Sequence, residues 1–180
     1  MPKYVAFLRA INVGGHIVKM TDLAELFHEM GFSDVKTFIA SGNVVFKSPS
    51  KNSATLEAKI EKHLAKALGY EVSTFIRSID QLNDIANHKP FSSYDADKKQ
   101  NTLMIGFLKS RPSNDSRNKV LSLRTKGDDF HFQDDILYWL CPPRMMDSKV
   151  SMALLEKVIG KSATFRNANT IRRIVALHTV

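Results

Sequence analysis

One pattern constrains this chain more than any other, because it occurs twice. A β-rich run ends in an arginine and leads into a helix whose apolar residues fall five and eight places later. Thr74-Phe75-Ile76-Arg77 precedes Leu82 and Ile85, and Thr164-Phe165-Arg166 precedes Ile171 and Ile174. A second pair matches more faintly: Ala6-Phe7-Leu8-Arg9 and Gly106-Phe107-Leu108-Lys109. A unit of this length occurring twice reads as a duplication rather than a solenoid.

The first copy spells out the repeated unit. Tyr4 to Leu8 is a short apolar run followed by a glycine pair, as expected for a buried strand and a loop. Thr21 is placed to cap a helix carrying Leu23, Leu26, Phe27 and Met30, with Gly31 at its end. Val35–Ala40 and Val44–Phe46 flank Ser41-Gly42-Asn43, a hairpin signal. A second helix buries Leu56, Ile60, Leu64 and Leu68 and closes at Gly69, and Glu71–Arg77 is the last strand. This order is βαββαβ. In the second copy Phe130–Phe132 and Ile136–Leu140 flank Asp134-Asp135, and a helix with Met152, Leu155 and Ile159 ends at Gly160. Tyr138 and Trp139 alternate along their strand, so one is expected in the core and the other in solvent. The expected fold is α+β: two tandem ferredoxin-like lobes with antiparallel sheets. They span residues 1–87, with a trailing helix, and 101–180, joined by a polar connection over 88–100.

Of the 180 residues, 43% are hydrophobic, enough for packed cores. No apolar run of about 18 residues occurs, so no membrane association is expected. The start, Met1-Pro2-Lys3-Tyr4, lacks the features of a secretory signal. Cys141 is the single cysteine, which excludes an internal disulfide and a cysteine-rich zinc site. A cytoplasmic location is the expectation that follows. The net charge of +8 is uneven: residues 1–100 hold 13 basic and 11 acidic side chains, residues 101–180 hold 13 and 7. The basic second half suits an anionic partner, either nucleic acid or a phosphorylated metabolite. A soluble basic surface without a partner accounts for it equally well.

In a βαββαβ lobe the loop leaving the first strand and the hairpin between the second and third strands lie at the same end of the sheet. That joins Arg9, Asn12, Gly14 and Gly15 with Ser41, Gly42 and Asn43. Glycines let backbone N–H groups approach a ligand, and a guanidinium offers a fork for phosphate or carboxylate. These are also ordinary turn residues. A second candidate is Arg166 with Asn167, where an N-capping asparagine and an arginine stand at a helix start. A small anionic ligand is the leading expectation. Nucleic-acid binding through the basic half, or a metal-free hydrolase of phosphate esters or acyl phosphates, is the alternative. Whether the chain is an enzyme is left open, as is its oligomeric state.

Several stretches resemble a known family. Tyr4-Val5-Ala6-Phe7-Leu8-Arg9-Ala10-Ile11-Asn12-Val13-Gly14-Gly15 is similar to its opening signature. Gly31-Phe32 through Thr37, with Ser41-Gly42-Asn43-Val44-Val45-Phe46, is similar to its second. Ser148-Lys149 and Thr164-Phe165-Arg166-Asn167 with Thr170 resemble its C-terminal pattern. The family is the uncharacterised domain of unknown function 1697. The resemblance implies a cytosolic, mostly bacterial protein of tandem ferredoxin-like fold and no established activity. The family often carries an aromatic residue after the Arg-Asn pair, where this chain has Ala168.

Other signals carry less. The six histidines show no metal-ligand spacing, so neither a metal nor a cofactor is expected. No phosphate-loop, dinucleotide or nucleophile-elbow motif occurs, and Ser41 has no evident base. Arg172-Arg173 reads as a solvated helix face. Neither repeat interleaves basic and aromatic strand residues as RNA-binding sheets do.

Overall fold

The computed structural model describes residues 1–95 and 99–179. The chain divides into two compact units, Met1–Asn83 with His178–Val180, and Asp84–Leu177. Each holds one four-stranded antiparallel sheet with helices.

The first unit runs β1 (Lys3–Leu8), α1 (Met20–Glu29), β2 (Ser33–Phe38), β3 (Asn43–Lys47), α2 (Ser53–Leu68) and β4 (Thr74–Ser78), and leads into α3 (Ile79–Asn87). Its sheet order is β2-β3-β1-β4, with every neighbouring pair antiparallel. One core packs the apolar faces of α1 (Leu23, Phe27) and α2 (Leu56, Ile60, Leu64) on Ala6, Val44, Phe46 and Ile76. Phe46 lies at its centre, 4.5 Å from the Phe32 ring and 5.5 Å from Phe27. Gly69 ends α2 in the left-handed conformation at φ 81°, which a side chain would disfavour. Helix α1 departs from expectation at its start. Lys19 occupies the N-cap without a side-chain bond, and Thr21 falls inside the first turn.

The edges of this sheet are guarded by charge. Strand β4 has one free edge, and two of its outward N–H groups donate to glutamates of α2: Thr74 to Glu61 Oε1 (2.8 Å) and Ile76 to Glu57 Oε1 (2.9 Å). The four-residue spacing of the two carboxylates matches alternate residues of the strand, so the helix stands in for a missing neighbour. Strand β2, at the other edge, is interrupted by a register shift between Ser33 and Lys36, with Asp34 at φ 50°. Asp34 pairs with Lys47 at 3.2 Å and Lys36 at 3.6 Å, and the hydrogen bond from Lys47 holds its carboxyl below the usual range.

The second unit contains β5 (Thr102–Leu108), α4 (Asn114–Leu121), β6 (Asp129–Gln133), β7 (Ile136–Cys141), a 3-10 turn (Met145–Asp147), α5 (Met152–Ile159), β8 (Ala163–Asn167) and all but the last residue of α6 (Ala168–His178). Its sheet order, β6-β7-β5-β8, reproduces the first. The registers coincide as well: Val5 faces Arg77 as Ile105 faces Arg166, and Leu8 faces Thr74 as Leu108 faces Ala163. The repeated arginine therefore occupies the same node of both sheets.

Tyr138 and Trp139 do not divide between core and solvent; both are fully buried. Trp139 packs with Phe130 and Phe165. Tyr138, on the opposite face, donates its hydroxyl to the Ile85 carbonyl at 3.4 Å and lies against the rings of His88 and His131. The Trp139 indole donates to Asp128 Oδ1 at 3.0 Å, and Ser148 Oγ donates to the same oxygen at 2.7 Å. Thr125 Oγ1 donates to Asp128 Oδ2 at 2.8 Å. A buried carboxylate thus ties the β6 entry, β7 and the segment after the 3-10 turn together.

Candidate functional site

The loop leaving β1 is built from residues in an uncommon backbone conformation. Ala10, Asn12, Gly14 and Gly15 all have positive φ (63°, 57°, 61° and 87°). Gly14 and Gly15 form a two-residue turn closed by the His16 N–H on the Val13 carbonyl at 3.2 Å, the geometry that favours glycine at both positions. No atom lies within 4 Å of where their Cβ atoms would be, so this tip is open. His16 leans on Tyr70 with ring centroids 4.0 Å apart.

The hairpin between β2 and β3 meets this loop. Leu8 N–H donates to the Gly42 carbonyl at 2.8 Å. A Cβ on Gly42 would lie 3.2 Å from Leu8 Cβ and 3.3 Å from Ile11 Cβ, at φ 78°. Both close approach and backbone conformation therefore require glycine here. Asn12 clamps the two segments: its Nδ2 donates to the Ala40 carbonyl at 2.8 Å while its Oδ1 accepts from Val18 N–H at 2.7 Å. Asn43, fully buried, donates from Nδ2 to the Phe38 carbonyl and to Ser41 Oγ, both at 2.9 Å. The amides of Asn12 and Asn43 thus build the scaffold. Arg9 is half-buried, and Ser41 and the glycine tip are exposed. Arg9 N–H donates to Ser73 carbonyl at 2.9 Å, which fixes the backbone where β1 ends.

Strain gathers at this end of the sheet. Ile39 has φ 50°, an unfavourable value for a β-branched residue, and is 45% exposed. Together with Ala10 and Asn12 it puts three non-glycine, left-handed residues in the facing segments, a cost that surrounding contacts must offset. Val13 and Ile17 are also exposed, so the rim is apolar around polar backbone. Residues 9–16 and 39–43 contain no carboxylate.

Arg166 and Asn167 belong to the second unit and behave differently. Arg166 is 8% exposed, and its Nη1 donates to Thr164 Oγ1 (2.8 Å) and the Phe165 carbonyl (2.9 Å). Burial pushes its pKa down to about 10, so it keeps its charge at neutral pH. Asn167 Oδ1 accepts from Asn169 N–H at 2.9 Å, the bond of an N-cap. The guanidinium is therefore not exposed at the helix start. Ala168 is 1% exposed, so in this chain the position belongs to packed interior. Arg77 repeats the arrangement in the first unit, with Nη1 on the Ile76 carbonyl at 2.7 Å.

Of the expected connection over 88–100, residues 96–98 lie outside the described residues, and of the expected solvated pair Arg173 is exposed while Arg172 is not. Arg172 is half-buried beside Tyr94, and residues 86–95 help line a pocket of about 560 Å³. The hint in the sequence was Pro90-Phe91 and Tyr94, apolar anchors inside an otherwise polar segment.

Among the described residues no group of three or more His, Cys, Asp or Glu side chains could hold a metal ion. No helix of the described residues is long and apolar enough to cross a membrane. Cys141 is fully buried, and desolvation, reinforced by the charge of Asp128, pushes its thiol up to about 12. With that pKa about one thiol in 10⁴ is ionised at pH 8, so native protein will resist iodoacetamide that labels the urea-unfolded chain fully. Rapid labelling of the native protein, read by mass spectrometry, would contradict this.

Residues 1–138 match the family described as "Protein of unknown function (DUF1697)". Among solved structures, the conserved bacterial protein SP0830 from Streptococcus pneumoniae is similar at 22% sequence identity and a TM-score of 0.73. The match covers 100% of this chain and 99% of that one, and it supports likeness of fold alone. No curated protein matches the chain.

Proposed function

Because the chain belongs to the DUF1697 family of proteins of unknown function, its role must be read from its own residues, and we propose that it binds a small anionic ligand at the end of β1. The ligand carries a phosphate or carboxylate group, held by Arg9, the Gly14-Gly15 backbone and Ser41. One observation carries the reading: the Asn12 side chain clamps the β1 loop to the β2–β3 hairpin through Ala40 and Val18. That clamp sets the loop carrying Arg9 and the glycine tip against the hairpin carrying Ser41, and neither segment contributes a carboxylate of its own. The strained backbone of Ala10 and Ile39 is in keeping with a functional rather than a merely connecting loop.

We also infer that each unit is a ferredoxin-like lobe. Support comes from the shared βαββαβ order and the sheet orders β2-β3-β1-β4 and β6-β7-β5-β8.

Titration calorimetry with phosphate, nucleotides and small dicarboxylates tests the binding. Arg9→Ala should weaken it by 10-fold or more, about 1.5–3 kcal/mol for a charge-assisted contact. Undiminished affinity in that variant would remove the proposed site.

A further inference from the structure

We propose that the second unit carries a further ligand site, sharing no residue with the one at β1, that takes a phosphorylated sugar, free or within a nucleotide. Its walls include Lys89, Ser92, Ser93, Tyr94, Asp95 and Arg172, around a volume of about 560 Å³. That size falls in the usual range for small-molecule sites, about 300–1,000 Å³.

Arg172 is the centre of the inference. Its Nη1 donates to Asn169 Oδ1 at 2.9 Å and reaches Tyr94 Oη at 3.5 Å, while its Cζ lies 5.8 Å from the centre of the Tyr94 ring. These partners are all neutral, so they brace the guanidinium without cancelling its charge. Among the described residues neither Arg172 nor Lys89 forms an ion pair. A concave surface thus holds two cations of different geometry, a planar fork and a point charge, neither of them in an ion pair among the described residues, beside Ser92, Ser93 and Tyr94. A monocarboxylate would need only one of the cations. A phosphate, with up to two charges and three oxygens, uses both cations and the neutral donors. Asp95 on the same wall repels a second anionic group but accepts hydrogen bonds from hydroxyls. Anionic at one end and rich in hydroxyls at the other, a sugar phosphate satisfies both halves.

The test is a site-resolved titration of ¹⁵N-labelled full-length protein with ribose 5-phosphate, adenosine 5′-monophosphate and unphosphorylated ribose. Saturable amide shifts in residues 88–95 and 169–173 are expected with both phosphorylated probes and not with ribose. Tighter binding of the nucleotide would identify the nucleotide as the source of the sugar phosphate, and equal or weaker binding would identify the free sugar phosphate. Lys89→Gln, at an exposed position, and Arg172→Gln should each weaken binding at least 10-fold. Arg9→Ala should leave these shifts unchanged, which separates this site from the one at β1. The inference is overturned if the probes leave residues 88–95 unmoved, if ribose acts as well as its phosphate, or if both variants bind like the parent protein.

Discussion

Replacing Asp128 with alanine should destabilise the protein by about 3 kcal/mol. Asp128 is 4% exposed and accepts from the Trp139 indole, Ser148 and Thr125. Thr125 is exposed and can turn to water. Trp139 is fully buried, and its N–H would be left without an acceptor, costing its desolvation as well as the lost charge-assisted bond. Asp128→Asn should cost less, since the amide oxygen can still accept from the indole. Trp139 is the only tryptophan, so its fluorescence during urea unfolding reports on the second unit directly. A midpoint within experimental error of the parent for Asp128→Ala would show that the carboxylate does not anchor this core.

Gly106→Ala should cost about 1–3 kcal/mol through overpacking, although the exchange usually favours a strand. A Cβ at Gly106 would lie 2.7 Å from Phe165 Cε1 and 3.1 Å from Cδ1, and that ring is itself wedged against Trp139. The first unit supplies the counterpart. Ala6 faces Ile76 at the same register where Gly106 faces Phe165, so the duplicated cores exchange a small–medium pair for a smallest–large one. Phe165→Ile should therefore rescue Gly106→Ala. The double variant is expected to be more stable than the sum of the single effects by about 1 kcal/mol or more, from urea unfolding. Additivity of the two substitutions would mean that the methyl and the ring do not compete for the same space.

Regular features were legible where a local rule governs them. The apolar stripe Leu56, Ile60, Leu64 with Gly69 behind it marks α2 because helical spacing and a left-handed cap are properties of neighbouring residues. The same holds for Leu155, Ile159 and Gly160 in α5. Helix α4 was not legible. Only Val120 among its eight residues is buried, so it has no stripe, and it exists through Ser113 capping Ser116 N–H and packing near α5, where Ser116 Oγ meets the Ile159 carbonyl at 3.3 Å. At the candidate site the meeting of loop and hairpin followed from strand order, but the division of labour within it did not. Asn12 and Asn43 have the composition of ligand contacts and are occupied as braces.

From its residues alone the chain determines a duplicated α+β architecture, the buried faces of most helices, and two turns suited to glycine. Tertiary structure alone decides what each polar group does. The partners that engage a side chain come from far along the chain: Ala40 for Asn12, Asp128 for Trp139, Tyr94 for Arg172. Periodicity and turn preference act over a few bonds, whereas desolvation and hydrogen bonding act on whatever atoms folding brings within about 3 Å. A guanidinium turned inward, as in Arg166, and one lining a pocket, as in Arg172, are the same chemistry until the fold has chosen their surroundings.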